Sequence, residues 1–95
     1  MDRAHNGARR LQLVGDYDIA DKDTLAALFG ALPPDGAVVI DMTKVRYIDS
    51  TFLHQIDDLR LRLKQHRVTL LGVNKQAQRL LHIVSFDDLF QIVEA

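Results

Sequence analysis

Two hydroxyls in a row, Ser50 and Thr51, follow directly on the carboxylate of Asp49. Residues of these types at this spacing suit a hydroxyl that takes up a modifying group. At the start of a helix, free backbone N–H groups and the helix dipole favour an anion beside it. The flanking elements supply that setting. Val38, Val39 and Ile40 are a β-branched run that suits a buried strand, with Asp41 closing it. Tyr47 and Ile48 give a second short apolar step. From there the apolar residues fall at Phe52, Leu53, Ile56, Leu59 and Leu63, a single stripe at helical period. Ser50 is expected to open this helix, its side chain accepting a hydrogen bond from a free backbone N–H.

Other chemistries find less support. An acid at the end of a buried strand is where ligands sit in open α/β sheets, so Asp41 is weighed as a phosphoacceptor of the response-regulator receiver type. That chemistry needs an acidic pair directly after the first strand to hold Mg²⁺, and room for five strand–helix units. Here Leu11–Val14 is followed by Gly15-Asp16-Tyr17, and the chain has 95 residues. The simpler reading of Asp41 is a strand-end acid bonded to turn backbone. The acids Asp16, Asp18, Asp21 and Asp23 invite a calcium-loop test. Counted from Asp16, Ala20, Asp21 and Ala27 stand where an EF-hand needs an oxygen ligand, Gly and Glu, so the pattern fails. His5, His54, His66 and His82 lack metal-ligand spacing. A triad drawn from Ser50, His54 and Asp57 would lie on one helix and build no oxyanion hole. No Gly-rich phosphate loop or nucleophile-elbow motif occurs. No catalytic residue, metal site or cofactor is therefore assigned.

Taken in order, a polar lead-in over 1–10 precedes a single domain over 11–95. Leu11–Val14 reads as the first strand, with Gly15 as punctuation. Asp21 is a candidate cap for a first helix carrying Leu25, Leu28, Phe29 and Leu32, which Pro33-Pro34-Asp35-Gly36 ends. After the central strand and second helix, Val68–Val73 is the third strand. Asn74 then caps a last helix with Ala77, Leu80, Leu81 and Val84 on its apolar side. Leu89, Phe90, Ile92 and Val93 fit either a short helix or a final strand. Leu61 lies about 140° from Ile56 around the second helix, on its far side. A single exposed Leu is ordinary; near a contact face it would anchor a partner. Strands alternating with helices imply right-handed crossovers and a mostly parallel sheet.

Composition sets bounds. The chain is 47% apolar and 26% charged, with a formal net charge of −1, so bulk electrostatics give no case for nucleic acid or anionic membrane. It has no cysteine, which excludes disulfides and thiolate metal sites and fits a reducing compartment. No apolar run approaches the roughly 20 residues needed to span a bilayer, and the N-terminus is not a signal peptide.

The run VVIDMTKVRYIDSTFL resembles the signature of STAS domains, the family of anti-sigma factor antagonists. Their pattern is an apolar strand, Asp-Leu-Ser, a short interval, then Asp-Ser-[Ser/Thr]-Gly-Leu. LVGDYDIADKDTLAALF is similar to the family's Gly-Glu-Leu-Asp segment and first helix, and LLGVNKQAQRLLHIVSFDDLFQIVE to its last strand, helix and terminal segment. The resemblance covers about Leu11 to Glu94. It implies an α/β sandwich, a roughly four-stranded, mostly parallel sheet with helices packed on it. It also implies a non-enzymatic, cytoplasmic, bacterial regulator of transcription. In the family the first Ser of the motif is phosphorylated by a partner that is both anti-sigma factor and serine kinase, and the unphosphorylated form binds that partner. Ser50 matches this phosphoacceptor, Asp49 and Thr51 its neighbours, and Asp18 the acid of the Gly-Glu-Leu-Asp segment, which lies close to the acceptor. Phe52 stands where the family has Gly, Asp16 where it has Glu, and Phe86 where Gly is common. The alternative within the family is a constitutive adaptor, such as a subunit of a lipid-transport ATPase assembly. Phe52 and Leu61 would then make a fixed apolar contact around the start of the second helix. A homodimer paired through an exposed sheet edge is also compatible with the fold.

Overall fold

Alternation of apolar and polar residues sets the first strand. In the computed structural model, which describes residues 9–64 and 66–95, β1 runs Arg9–Tyr17, with Leu13 and Tyr17 buried and Gln12, Val14 and Asp16 exposed. The strand is longer than the Leu11–Val14 stretch its apolar residues mark, and it takes in Arg9 and Arg10 from the polar lead-in. Residues 1–8 of that lead-in lie outside the described residues. A 3-10 turn, Ile19–Asp21, leads into α1, Lys22–Gly30. Then follow β2 (Val38–Ile48), α2 (Ser50–Leu63), β3 (Val68–Leu71), α3 (Lys75–Ile83) and β4 (Gln91–Val93). Of the C-terminal segment, Ile92 and Val93 are thus in a strand, while Leu89 and Phe90 lie in the turn before it. Gly72, just past β3, takes a positive φ of 71°, and a side chain there would collide with Thr43.

The strands lie in the order β1-β2-β3-β4, and all three pairings are parallel. Each crossover steps one place in the same direction. Right-handed connections therefore put α1, α2 and α3 on one face of the sheet. The core fills the space between. Leu13, Ile40 and Leu70 from the sheet meet Leu25 and Phe29 of α1, Phe52, Ile56 and Leu59 of α2, and Leu81 of α3. Side chains of α2 also bond to the backbone at both ends of α1: Gln55 donates to the Lys22 carbonyl at 3.1 Å, and Arg62 donates to those of Leu32 and Phe29 at 3.0 and 2.6 Å. The guanidinium thus adds a second donor to the Phe29 carbonyl, which already accepts from the Leu32 N–H, and pairs the Leu32 carbonyl just past the helix.

β2 corrects the expected strand, connector and second step. It is one strand of eleven residues. β1 pairs with it from Val38 to Ile48, with two register shifts, whereas β3 pairs only with Val38 to Asp41. Side chains at the start of α3 take over where β3 ends. Asn74 donates to the carbonyls of Val45 and Arg46, and the Gln76 amide both accepts from the Ile48 N–H at 3.1 Å and donates to its carbonyl at 2.8 Å.

Asp41 is accordingly not at a strand end. It sits inside β2 on the face without helices, and only 4% of it is exposed. All-parallel sheets are normally covered on both faces; here the second face stays largely exposed, with Val14 at 62%, and a polar network covers it only at Asp41. The Asp41 carboxylate accepts from the Thr43 hydroxyl (2.7 Å) and amide (3.0 Å), from Arg10 (3.0 Å) and from Gln12 (3.3 Å). The Thr43 hydroxyl, then its N–H, lower the carboxyl's pKa to about 2 against the opposing effect of burial, with Arg10 adding to the lowering.

Candidate functional site

The site grows out of the parallel register at the ends of β1 and β2. Tyr17 pairs with Ile48, and the Asp49 N–H donates to the Tyr17 carbonyl at 3.2 Å. Both chains then leave the sheet through an aspartate in extended conformation, Asp18 and Asp49. Each opens a helical turn. Asp18 accepts from the Ala20 N–H at 2.9 Å, while Asp21 accepts from the Asp18 N–H at 3.2 Å. Asp49 accepts from the N–H groups of Thr51 (2.8 Å) and Phe52 (3.3 Å). Two carboxylate-capped turns thus stand side by side.

This geometry corrects the role expected of Ser50. The cap of α2 is Asp49, and Ser50 is the first helical residue, with its side chain exposed. Aspartate wins because its carboxylate, one residue earlier, reaches two orphan N–H groups at once. Those N–H groups are therefore already occupied by an anion. A phosphoryl group on Ser50 would lie beside the Asp49 carboxylate rather than replace it. Asp21, expected as the cap of α1, makes no side-chain bond to that helix's N–H groups and serves Asp18 instead.

The structure brings Asp18, Asp49, Ser50 and Thr51 to one end of the sheet and sets the other two expected contact residues apart. Phe52 is 1% exposed. Its ring lies 6.3 Å from that of Tyr17 and 6.2 Å from that of Phe29, in tilted and edge-on arrangements. It packs beneath the site and offers a partner nothing, because the third position of α2 falls on the helix's core-facing stripe. Leu61 is exposed, at 56%, but belongs to the last turn of α2. Eleven residues at 1.5 Å each put it roughly 16 Å along the axis from Ser50. It does not share a contact with the start of the helix.

Two exposed apolar residues at this end escape a reading by periodicity: Ile19, in the acidic turn after Asp18, and Tyr47, whose strand position pairs with Asp16. For Ile19 the available signal is an apolar residue among aspartates, outside the stripe of α1. The paper triad has no counterpart. Asp57 receives two hydrogen bonds from Arg60, at 3.1 and 2.9 Å, and His54 is exposed. Asp41 uses both carboxylate oxygens in its own network and has no open side for a phosphodonor. Among the described residues no cluster of His, Asp or Glu could hold a metal ion, and no helix is long and apolar enough to cross a membrane.

Comparison with known proteins agrees with this architecture. The family described as "Mlab, STAS domain" matches residues 1–94. A candidate anti-sigma factor antagonist from Thermotoga maritima superposes with a TM-score of 0.80 at 15% identity, over 93% of this chain and 80% of that one. A sulfate transporter family protein from Wolinella succinogenes gives 0.75 at 17% identity, over 92% and 76%. The anti-sigma factor antagonist SpoIIAA in its unphosphorylated form gives 0.67 at 14% identity, over 93% and 80%. At these identities the solved structures speak for the shared fold. No functionally curated protein matches the sequence at a significant level.

Proposed function

The chain belongs to the STAS domain family, and from that premise we propose that it is a phospho-switchable protein-binding module of the anti-sigma factor antagonist kind. Unphosphorylated, it binds an anti-sigma factor with serine-kinase activity in the cytoplasm. Phosphorylation of Ser50 releases that partner. The chain itself performs no catalysis in this reading. The observation that carries it is the exposed Ser50 hydroxyl, freed from capping by Asp49 and flanked by Asp18 across the strand ends. Phe52, which replaces the family's Gly, leaves the approach to Ser50 open, because its ring is in the core.

The switch needs only local charge. A phosphoryl group adds about −1.5 to −2 charges at neutral pH. Beside the Asp49 carboxylate, within a desolvated contact, like charges cost several kcal/mol, and about 1.4 kcal/mol is already tenfold in affinity. Partner binding can therefore be lost while the fold is unchanged. Affinity purification from the native cell with wild-type, Ser50→Ala and Ser50→Asp baits tests this. Wild type and Ser50→Ala should retain a partner with an ATP-binding kinase domain, and Ser50→Asp should lose it. A partner held equally by all three baits would instead make the chain a constitutive adaptor.

A further inference from the structure

Ile19 has the most exposed large apolar side chain among the described residues, at 71%. It is the residue immediately after Asp18, within the 3-10 turn. The bond from the Asp49 N–H to the Tyr17 carbonyl ties the two strand ends together. The steps Asp18-Ile19 and Asp49-Ser50 therefore leave the sheet side by side, about one strand spacing (~5 Å) apart. Asp16, Asp18, Asp21 and Asp23 surround Ile19 in sequence, with Lys22 as the one cation between them. Asp18 and Asp21 are held in the capping box, and Asp16 pairs with Arg46 at 3.3 Å. Asp23 stands exposed in the first turn of α1.

We propose that Ile19 is the apolar anchor of the partner contact at the Ser50 end, and that the partner offers an apolar socket rimmed by Lys or Arg side chains. This rests on the reading of the Ser50 surface as the binding face and specifies the chemistry that face selects. A β-branched side chain has few rotamers to lose on burial. A buried apolar anchor enclosed by polar contacts is the arrangement that concentrates binding energy, and the surrounding carboxylates favour and steer a cationic rim. Ser50 leaves the sheet one strand over from the anchor, so a phosphoryl group there would have to shed water as the socket closes over Ile19.

The test takes the partner recovered through its loss in Ser50→Asp, purified, and titrates it against full-length wild type and single variants. Ile19→Ser is expected to weaken binding by roughly 10- to 30-fold. Ile83→Ser and Leu61→Ser, at comparably exposed sites of 68% and 56%, should change it by less than about twofold. Asp23→Lys should slow association, by a factor that shrinks as salt rises. Unchanged thermal unfolding of Ile19→Ser separates lost binding from lost structure. Unchanged affinity of Ile19→Ser overturns the anchor while leaving the Ser50 face standing, and faster association of Asp23→Lys overturns the cationic rim. If no Ser50-dependent partner is recovered, the reading of the face fails first and this inference with it. Sedimentation of the chain alone covers the other occupant: a wild-type dimer that Ile19→Ser dissociates would make a second copy the ligand and overturn the proposal.

Discussion

Asp41-Met42-Thr43 and Asp49-Ser50-Thr51 are the same local motif eight residues apart. In both, the aspartate accepts from the N–H two residues on, at 3.0 Å for Thr43 and 2.8 Å for Thr51. Their fates differ. Asp41 sits inside β2, where β1 brings Arg10 and Gln12 over its carboxylate and closes it off. Asp49 sits where the paired strands end, so its carboxylate turns to the N–H groups of α2 and leaves the next hydroxyl outside. An Asp-x-Thr step therefore says that a carboxylate will hold nearby backbone. Its position along the sheet decides whether the result is a closed structural network or an exposed site.

Several substitutions would break or sharpen this contrast. The largest effect is expected beneath the exposed site, where Phe52→Ala should cost about 3–5 kcal/mol in urea unfolding. A loss near zero would mean that the ring is not in the core. Asp41→Asn comes next, at about 2 kcal/mol, since a neutral amide cannot satisfy the Arg10, Gln12 and Thr43 donors as a carboxylate does.

The same network predicts acid lability. A carboxyl with a native pKa of about 2, below its ordinary 3.8, contributes stability above pH ~4 that is lost as pH falls towards 2, about 2 kcal/mol in all. Unfolding free energies measured from pH 5 to pH 2 should show this decline, and Asp41→Asn should flatten it.

Asp49→Ala should cost about 1 kcal/mol through loss of the α2 cap. Ser50→Ala should stay within about 0.5 kcal/mol of wild type. A cost for Ser50→Ala equal to that of Asp49→Ala would return the capping role to the serine.

Much of the fold is legible without coordinates because burial leaves a periodic trace. The stripe from Phe52 to Leu63 marks α2, and the β-branched runs mark β2 and β3. The same stripe contains Phe52, so its inward orientation follows from helical period alone. The eleven residues of β2 leave a weaker trace, because Thr43, Lys44 and Arg46 interrupt the apolar pattern. What sustains the strand there is β1 on one side and the amides of Asn74 and Gln76 on the other, groups some 28 residues away. The polar cover of Asp41 is equally non-local, since Arg10 and Gln12 come from another strand.

At the site, the residue types and their order set the chemistry on offer: a hydroxyl pair behind a carboxylate at the start of a helix. Adjacent candidates compete for the cap, and sequence alone does not rank Asp49 against Ser50. The bond from Asp49 to the Tyr17 carbonyl fixes where the strand stops, and with it which side chain reaches the free N–H groups. The strand register also places Asp18 and Ile19 beside Ser50, while helix length carries Leu61 away from it. Local hydrogen bonding and apolar periodicity act within a few residues, so the sequence determined the helices, the apolar cores of the strands and the candidate hydroxyl. Strand pairing joins residues thirty positions apart, so only the tertiary structure decided which carboxylate is closed, which hydroxyl is open and which apolar side chain stands next to it.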